Sequence, residues 1–96
     1  MSVRLEYKKS FRKSLKKYTT KQQEDIFKSI RILSGSIDKF QIPHGLGLKL
    51  LKSNLRIWEI RVDLNIRILF RYENNLLEFA LVGNHNNIKN FLKHIT

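Results

Sequence analysis

Apolar and polar residues alternate at the start of the chain. Val3, Leu5 and Tyr7 are separated by Arg4 and Glu6, and a period of two predicts a short strand. The period then lengthens. Tyr7, Phe11, Leu15 and Tyr18 recur at intervals of four, four and three residues, the stripe of an amphipathic helix. Its other faces are almost wholly Lys and Arg. Thr20, with Gln23 three residues on, resembles a capping box and predicts the start of a second helix. Ile26, Phe27, Ile30 and Leu33 supply its apolar face, and Gly35 is a natural stop. The two helices are expected to form a hairpin over residues 8–34. Residues 36–48, punctuated by Pro43, Gly45 and Gly47, read as a loop.

The second half predicts three antiparallel strands whose register can be argued. Trp58, Ile60 and Val62 alternate with Glu59 and Arg61; Ile66, Ile68, Phe70 and Tyr72 alternate with Arg67, Leu69 and Arg71; Leu77, Phe79 and Leu81 alternate with Glu78 and Ala80. A three-residue connection, Asp63-Leu64-Asn65, pairs Val62 with Ile66. A two-residue Asn74-Asn75 turn, suited to positive φ, pairs Glu73 with Leu76. Trp58, Ile60, Ile68, Phe70, Phe79 and Leu81 then share one face, ready to pack on the N-terminal helices. A one-residue slip would mix the faces and bury an Arg. The first strand is expected at an edge of the sheet or beside the C-terminal strand. Residues 83–95 open with an Asn/His cluster fit to cap a helix, striped by Ile88, Phe91 or Leu92, and Ile95. The expected fold is α+β: a helical hairpin packed on a small antiparallel sheet, with a short C-terminal helix. A chain of 96 residues is expected to make a single domain spanning 1–96.

The same register arranges the polar face. Arg61 lies directly opposite Arg67, an arrangement that costs up to ~1 kcal/mol. Arg71 faces Glu78, and Glu59 sits diagonal to both Arg67 and Arg71. Two guanidiniums and a carboxylate therefore share the middle of a sheet face that no predicted helix needs to cover. The pattern admits two readings. One is an exposed cross-strand ion-pair network; the other is a phosphate site, which a bidentate Arg recognises well.

Composition narrows the choice. The chain has no Cys, which excludes a disulfide scaffold, a zinc ribbon and a thiol nucleophile, and fits a cytoplasmic location. The opening MSVRLEYKKS has no apolar signal core, and no apolar run approaches ~18 residues, so neither secretion by a standard signal nor a membrane partner is expected. Nineteen Lys and Arg against eight Asp and Glu give a net charge of +11. Self-repulsion at that density points to a polyanionic or acidic partner. The basic residues crowd the first predicted helix, where Lys13 and Lys16 lie on its polar side.

Conventional motifs fail: there is no Walker loop, GxGxxG, HExxH or GxSxG. His44, His85 and His94 lack metal-ligand spacing, so neither a metal site nor a cofactor is expected. Arg, Lys, Glu and His remain, a set that suits phosphodiester cleavage without a metal. An internal 2′-hydroxyl can attack, a carboxylate or neutral side chain can act as base, and arginines can stabilise the developing charge. His85 is the best acid candidate, since an imidazole pKa of ~6.5 allows proton transfer near neutrality; it also reads as a helix cap or surface residue. His44 reads as a loop residue, and His94 as a partner of a helix dipole.

Over nearly its whole length the chain resembles the RelE/ParE superfamily of bacterial toxin–antitoxin toxins. EYKKSFRKSLKKY is similar to the family's strand and basic helix, LKLLKSNLRIWEIRVDLNIRILFRY to its double strand, and LEFALVGNHNNIKNF to its last strand, Gly and tail. The resemblance implies a toxin of the RelE, YoeB or YafQ type, an mRNA interferase whose sheet binds mRNA in the ribosomal A site. The implied reaction is metal-independent attack of a ribose 2′-hydroxyl on the adjacent phosphate, releasing a 5′-hydroxyl. The implied protein partner is an antitoxin that wraps and blocks the toxin.

Position by position, Arg67 matches the family's most regular catalytic Arg, which holds the scissile phosphate, and Arg61 a basic position on the preceding strand. Glu59 falls where RelE-type members carry a lysine; elsewhere in the superfamily a carboxylate from a different segment serves as base. Lys49 and Lys52 fall in the segment where other members place a catalytic Glu or His. His85 matches the RelE-type arginine and the histidine of the YoeB and YafQ types, an acid or leaving-group stabiliser. Phe91 matches the RelE-type tyrosine by spacing; without a hydroxyl it can stack a base but not transfer a proton. The expected catalytic set is Arg67, His85, Arg61 and Glu59, and the expected RNA-binding set is Lys49, Lys52, Arg71, Phe91, Lys13 and Lys16. Two alternatives stay open: a ParE-like inhibitor of DNA gyrase, and a non-catalytic basic module that binds nucleic acid.

Overall fold

The computed structural model describes residues 3–39 and 41–95; Met1, Ser2, Phe40, which falls in the expected loop, and Thr96 lie outside the described residues. The chain runs β1 (Arg4–Tyr7), α1 (Lys9–Leu15), α2 (Thr20–Ser36), β2 (Lys49–Lys52), β3 (Ile57–Arg61), β4 (Arg67–Glu73), β5 (Leu76–Gly83) and α3 (His85–Leu92). Five strands form one sheet in the order β1-β5-β4-β3-β2. The fold is α+β, as expected, and β1 is both an edge strand and the neighbour of β5. The sheet is mixed, because β1 runs parallel to β5 while the other neighbours are antiparallel. A parallel pair needs a long crossover, and here everything from α1 to β4 supplies it.

Phe11 of α1 and Ile26, Ile30 and Leu33 of α2 pack on Ile60, Ile68, Phe70, Leu77, Phe79 and Val82 of the sheet. Tyr7 anchors the N-terminal end, its ring stacked on Phe79 and tilted against Phe11, each at 5.4 Å between centroids. Such pairs add about 0.5–1.5 kcal/mol beyond area burial. Tyr7 thus belongs to the strand, and α1 is shorter than its apolar stripe: Leu15 ends it and Tyr18 lies in the following turn.

The capping box of α2 is Thr19 with Gln22, one residue earlier than the spacing predicts. Gln23 is committed elsewhere: its Nε2 donates to the carbonyls of Leu15 and Tyr18 at 3.2 and 3.0 Å, closing the end of α1. Nor does α2 stop at Gly35. It runs to Ser36 and into a 3-10 turn, Ile37–Lys39, because Ile37 extends the buried stripe of Ile26, Ile30 and Leu33. A second 3-10 turn, His44–Leu46, interrupts the expected loop. The strand β2 went unread because a bulge between Leu50 and Lys52 sets two residues against one, erasing the alternation.

The predicted register holds where the turns set it. Val62 N–H donates to the Ile66 carbonyl at 2.8 Å, Asn74 and Asn75 take φ of 53° and 60°, and Glu73 pairs with Leu76. It then breaks. Phe70 still faces Phe79, but Leu69 faces Leu81 and Ile68 faces Val82, leaving Ala80 as the extra residue of a bulge. Parity flips beyond it, so Leu81 leaves the core face and Val82 takes its place, 2% exposed. Strand β1 has ended by this point, and α1 lies along β5 instead. Ser10 Oγ donates to the Ala80 carbonyl. Ser14 Oγ donates to the Phe11 carbonyl at 2.9 Å and accepts from Val82 N–H at 3.1 Å.

Ser14→Ala strands the buried Val82 N–H, an unsatisfied donor that costs about 1–3 kcal/mol. Urea unfolding of this variant is expected to show that loss, with a smaller one for Ser10→Ala at its half-buried site. An unchanged midpoint for Ser14→Ala would mean that the bulge stands without the helix.

Candidate functional site

Direct cross-strand partners share a face, and Arg61 pairs with Arg67. The next row is Lys49, Glu59, Leu69 and Leu81. Glu59 reaches diagonally to Arg67, with Nη1 to Oε2 at 2.8 Å; its side chain is 8% exposed and that of Arg67 22%. Arg67 Nε is buried and has no hydrogen-bond partner among the described residues. The two facing arginines are thus kept unlike: one is paired and half-buried, the other stands in solvent. The stem of Arg61 lies against Gly47, where an added Cβ would come within 3.4 Å of the Arg61 Cβ. Gly47 has φ 57°, a conformation glycine adopts without steric cost. That close approach brings the 43–47 segment to the side of the arginine pair.

The face expected to be open is half-covered. Leu81, turned outward by the bulge, joins Leu69 and Ile57 in an apolar strip. Ile88, Phe91, Leu92 and Ile95 of the α3 segment pack on it. The helix begins at the arginines: Gly83 is the cross-strand partner of Arg67, Asn84 is the N-cap, and His85 is the first helical residue, exposed. Asn84 and Asn87 exchange capping bonds, Asn84 Oδ1 accepting from Asn87 N–H at 2.8 Å and Asn87 Oδ1 from Asn84 N–H at 2.9 Å. A Cβ on Gly83 would lie 2.7 Å from Asn87 Cβ, so the turn into the helix admits only glycine at its last strand position.

The other candidates divide. Lys49, exposed, stands opposite Glu59 in the register, beside the Glu59–Arg67 pair. Lys52 and Arg71 both oppose Ile57 from its two sides, at the far end of the face. Arg71 is occupied by Glu73 and, at 3.7 Å, by Glu78; hydrogen bonding to Glu73 is the first cause that raises its pKa. Phe91 is half-buried against the sheet. Lys13 and Lys16 are exposed on α1 and its C-cap. His44 is exposed in its 3-10 turn, and His94 Nδ1–H donates to the Asn90 carbonyl at 2.9 Å. The Asn/His cluster caps the helix as expected, but sequence reading missed its reciprocal Asn84–Asn87 box and the part that Gly47 and Gly83 play beside the arginines; the Asn-x-x-Asn spacing ahead of the apolar stripe was the available signal for the box. Among the described residues, no group of His, Cys, Asp or Glu is placed to hold a metal ion, and no helix is long and apolar enough to cross a membrane.

No family model and no curated protein sequence matches the chain. Solved structures do. A chain of the DinJ–YafQ toxin–antitoxin complex of E. coli superposes with a TM-score of 0.76 at 15% identity, covering 92% of this chain and 98% of that one. The RelBE2 toxin–antitoxin complex of Mycobacterium tuberculosis gives 0.67 at 15% identity over 88% and 100%. The YoeB–YefM toxin–antitoxin complex of Staphylococcus aureus gives 0.62 at 22% identity over 88% and 99%. These neighbours are toxins of the RelE superfamily. At such identities the shared property is the fold, and the fold of this chain is RelE-like.

Breaking a buried ion pair from one side costs about 3–5 kcal/mol when both partners are fully buried. Arg67 keeps contact with solvent, so Glu59→Ala is expected to cost less than that. Arg67→Ala leaves the more deeply buried carboxylate alone and is expected to cost more than Glu59→Ala. The double change to Leu at both positions should be less destabilised than the sum of the two single changes to Leu. Chemical unfolding of the set checks the order; additive losses would mean that the pair does not couple.

Proposed function

We propose that this chain is the toxin of a toxin–antitoxin pair and a metal-independent endoribonuclease that cuts mRNA on the ribosome. The observation that carries the reading is one juxtaposition: Arg61 and Arg67 are partners on one sheet face, and the helix bearing His85 starts from Gly83, the next partner in that row. Arg67 and Arg61 would hold the scissile phosphate and stabilise the charge that builds on it. The ribose 2′-oxygen attacks phosphorus and its proton leaves to solvent. The bond from phosphorus to the 5′-oxygen breaks, and His85 protonates that oxygen. The products are a 2′,3′-cyclic phosphate and a 5′-hydroxyl. We assign Glu59, turned toward Arg67 and buried, to holding that guanidinium rather than to taking the 2′ proton.

Charge supports a polyanionic target. Among the described residues, Lys8, Lys21, Arg56, Arg67 and Arg71 are the bases engaged in ion pairs, leaving most of the 19 Lys and Arg unspent. Exposed Lys13 and Lys16 would engage ribosomal RNA, and Lys49 the message beside the arginines. A basic surface of this kind also suits an acidic antitoxin, and the complexes named above have that composition of toxin with antitoxin. The assigned place of action is the cytoplasm.

Induced expression is expected to arrest growth and to produce new 5′ ends inside translated reading frames, read by primer extension. Intact mRNA with inhibited gyrase would replace this reading by a ParE-like one. On saturating programmed ribosomes, Arg67→Ala should slow single-turnover cleavage by about 10²–10³-fold and His85→Ala by about 10²–10⁴-fold. Lys13→Ala and Lys16→Ala should weaken ribosome association and flatten its salt dependence while sparing cleavage of bound message. Parental rates in folded Arg67→Ala and His85→Ala proteins would leave the face as an ion-pair network only.

A further inference from the structure

The edge strands of a sheet carry unpaired backbone groups, and another strand can join there. The two edges of this sheet are unlike. On β2, an antiparallel copy centred between Leu50 and Leu51 would set Lys49 against Lys52, and like charges directly opposite are destabilising. The bulge after Leu50 also interrupts its row of bonds. Strand β1 keeps an unbroken register with β5 from Arg4 to Tyr7 and carries charges of both signs. The Arg4 and Lys8 N–H groups donate to the Asn75 and Phe79 carbonyls at 2.8 and 2.9 Å. By alternation, the backbone N–H and C=O of Leu5 point away from β5, to the open edge. Its side chain is 42% exposed, although it lies on the face that packs against the helices.

The sequence of β1 is complementary to itself. Arg4 and Glu6 stand on one face, on either side of Leu5, whose side chain points to the other. An antiparallel copy centred on Leu5 sets Leu5 against Leu5, exchanging both backbone bonds. It also sets Arg4 of each copy against Glu6 of the other. The helix layer repeats the pattern. A hollow beside Leu5 is lined, in chain order, by Arg31, Ser34, Gly35 and Asp38 of the α2 segment. A two-fold axis through Leu5, perpendicular to the sheet, brings the α2 helices of two copies antiparallel across this hollow. Arg31 of each then faces Asp38 of the other, with the small Ser34 and Gly35 at the centre. A Cβ on Gly35 would meet nothing within 4 Å, so the wall has room. Among the described residues, Arg4, Arg31 and Asp38 take part in no ion pair. Lys39 at the rim is the one unmatched charge of the lining. An acidic segment of another protein would find the arginines here opposed by Glu6 and Asp38.

We propose that β1 is a self-pairing edge: two copies of this chain join antiparallel at Leu5 into one continuous sheet, and their α2 helices meet at Ser34 and Gly35. The arginine row lies on β3 and β4, away from this edge, so pairing and RNA cleavage stand or fall separately. Sedimentation velocity is run on the purified chain from about 1 to 100 μM, the range of transient association. A monomer–dimer equilibrium is expected. R4E and E6R should each weaken it about tenfold or more, because either change sets like charges opposite at two places. The double variant R4E/E6R should recover the parental dimer, and a mixture of the R4E and E6R proteins should form a dimer of one of each. L5P removes the outward N–H and leaves the bonds to β5 in place; it should abolish pairing. All three positions are exposed, and circular dichroism checks the fold. A chain that stays monomeric throughout, or a dimer that these variants leave unchanged, overturns the proposal. So does an acidic extended peptide that binds a monomeric parent and not L5P, since the edge then takes its strand from another protein.

Discussion

The hydroxyl of Ser14 holds the point at which the sheet changes parity. It accepts from the N–H of Val82, just past the bulge at Ala80, and donates a hydrogen bond to the Phe11 carbonyl. Because parity flips there, Leu81 faces outward and makes an apolar strip with Leu69. The strip needs a cover, and α3 is that cover. The same one-residue shift sets Gly83, rather than Val82, opposite Arg67. The helix start and the half-covered face therefore depend on one side chain of α1 that lies in the opposite layer, while the pairing of Arg61 with Arg67 is set by β3 and β4 alone. A bulge beside a functional face is a common device for re-aiming side chains.

Within the row, two like charges are tolerated because they are treated differently. Arg67 is held by a carboxylate at 2.8 Å and has most of its side chain out of solvent. Arg61 stays hydrated, with its stem against the backbone of Gly47. A buried ion pair adds little net stability, since desolvation offsets attraction. What it does supply is orientation: a guanidinium anchored through Nη1 presents the rest of its fork in one direction. The opposition of Arg61 to Arg67 is relieved further by any anion bound between them.

Much of this was legible in the sequence, for identifiable reasons. The β3–β4 and β4–β5 registers could be read because their connections have few solutions: three residues after Val62, and an Asn-Asn pair that accepts positive φ. Those registers alone placed Arg61 against Arg67 and Glu59 on the diagonal. The Ala80 bulge was illegible because its cause lies elsewhere: Ser10 and Ser14 read as polar helix positions, and nothing local marks them as partners of β5. Strand β2 was hidden by its own bulge. Gln22 and Gln23 offered two equivalent capping frames, decided by the long-range bonds of Gln23 to the end of α1. The site was read as a set of residues; its division into an arginine row near Lys49 and His85, and an occupied Arg71 at the far end, required the fold.

The parallel pairing of β1 with β5 also bears on how the chain is made. Arg4 meets Leu76 in the sheet, and the serine that holds the Ala80 carbonyl precedes it by 70 residues. Contacts of such separation form late, after loop-closure entropy has been met. During synthesis, the first strand and both N-terminal helices leave the ribosome long before their sheet partner exists. Helices α1 and α2 have only each other to bury against until β3, β4 and β5 have emerged. The arginine row takes its final form after β5 has docked along α1, when nearly all of the described chain has been translated. A nascent chain of this topology stays without its assembled site until β5 has been made.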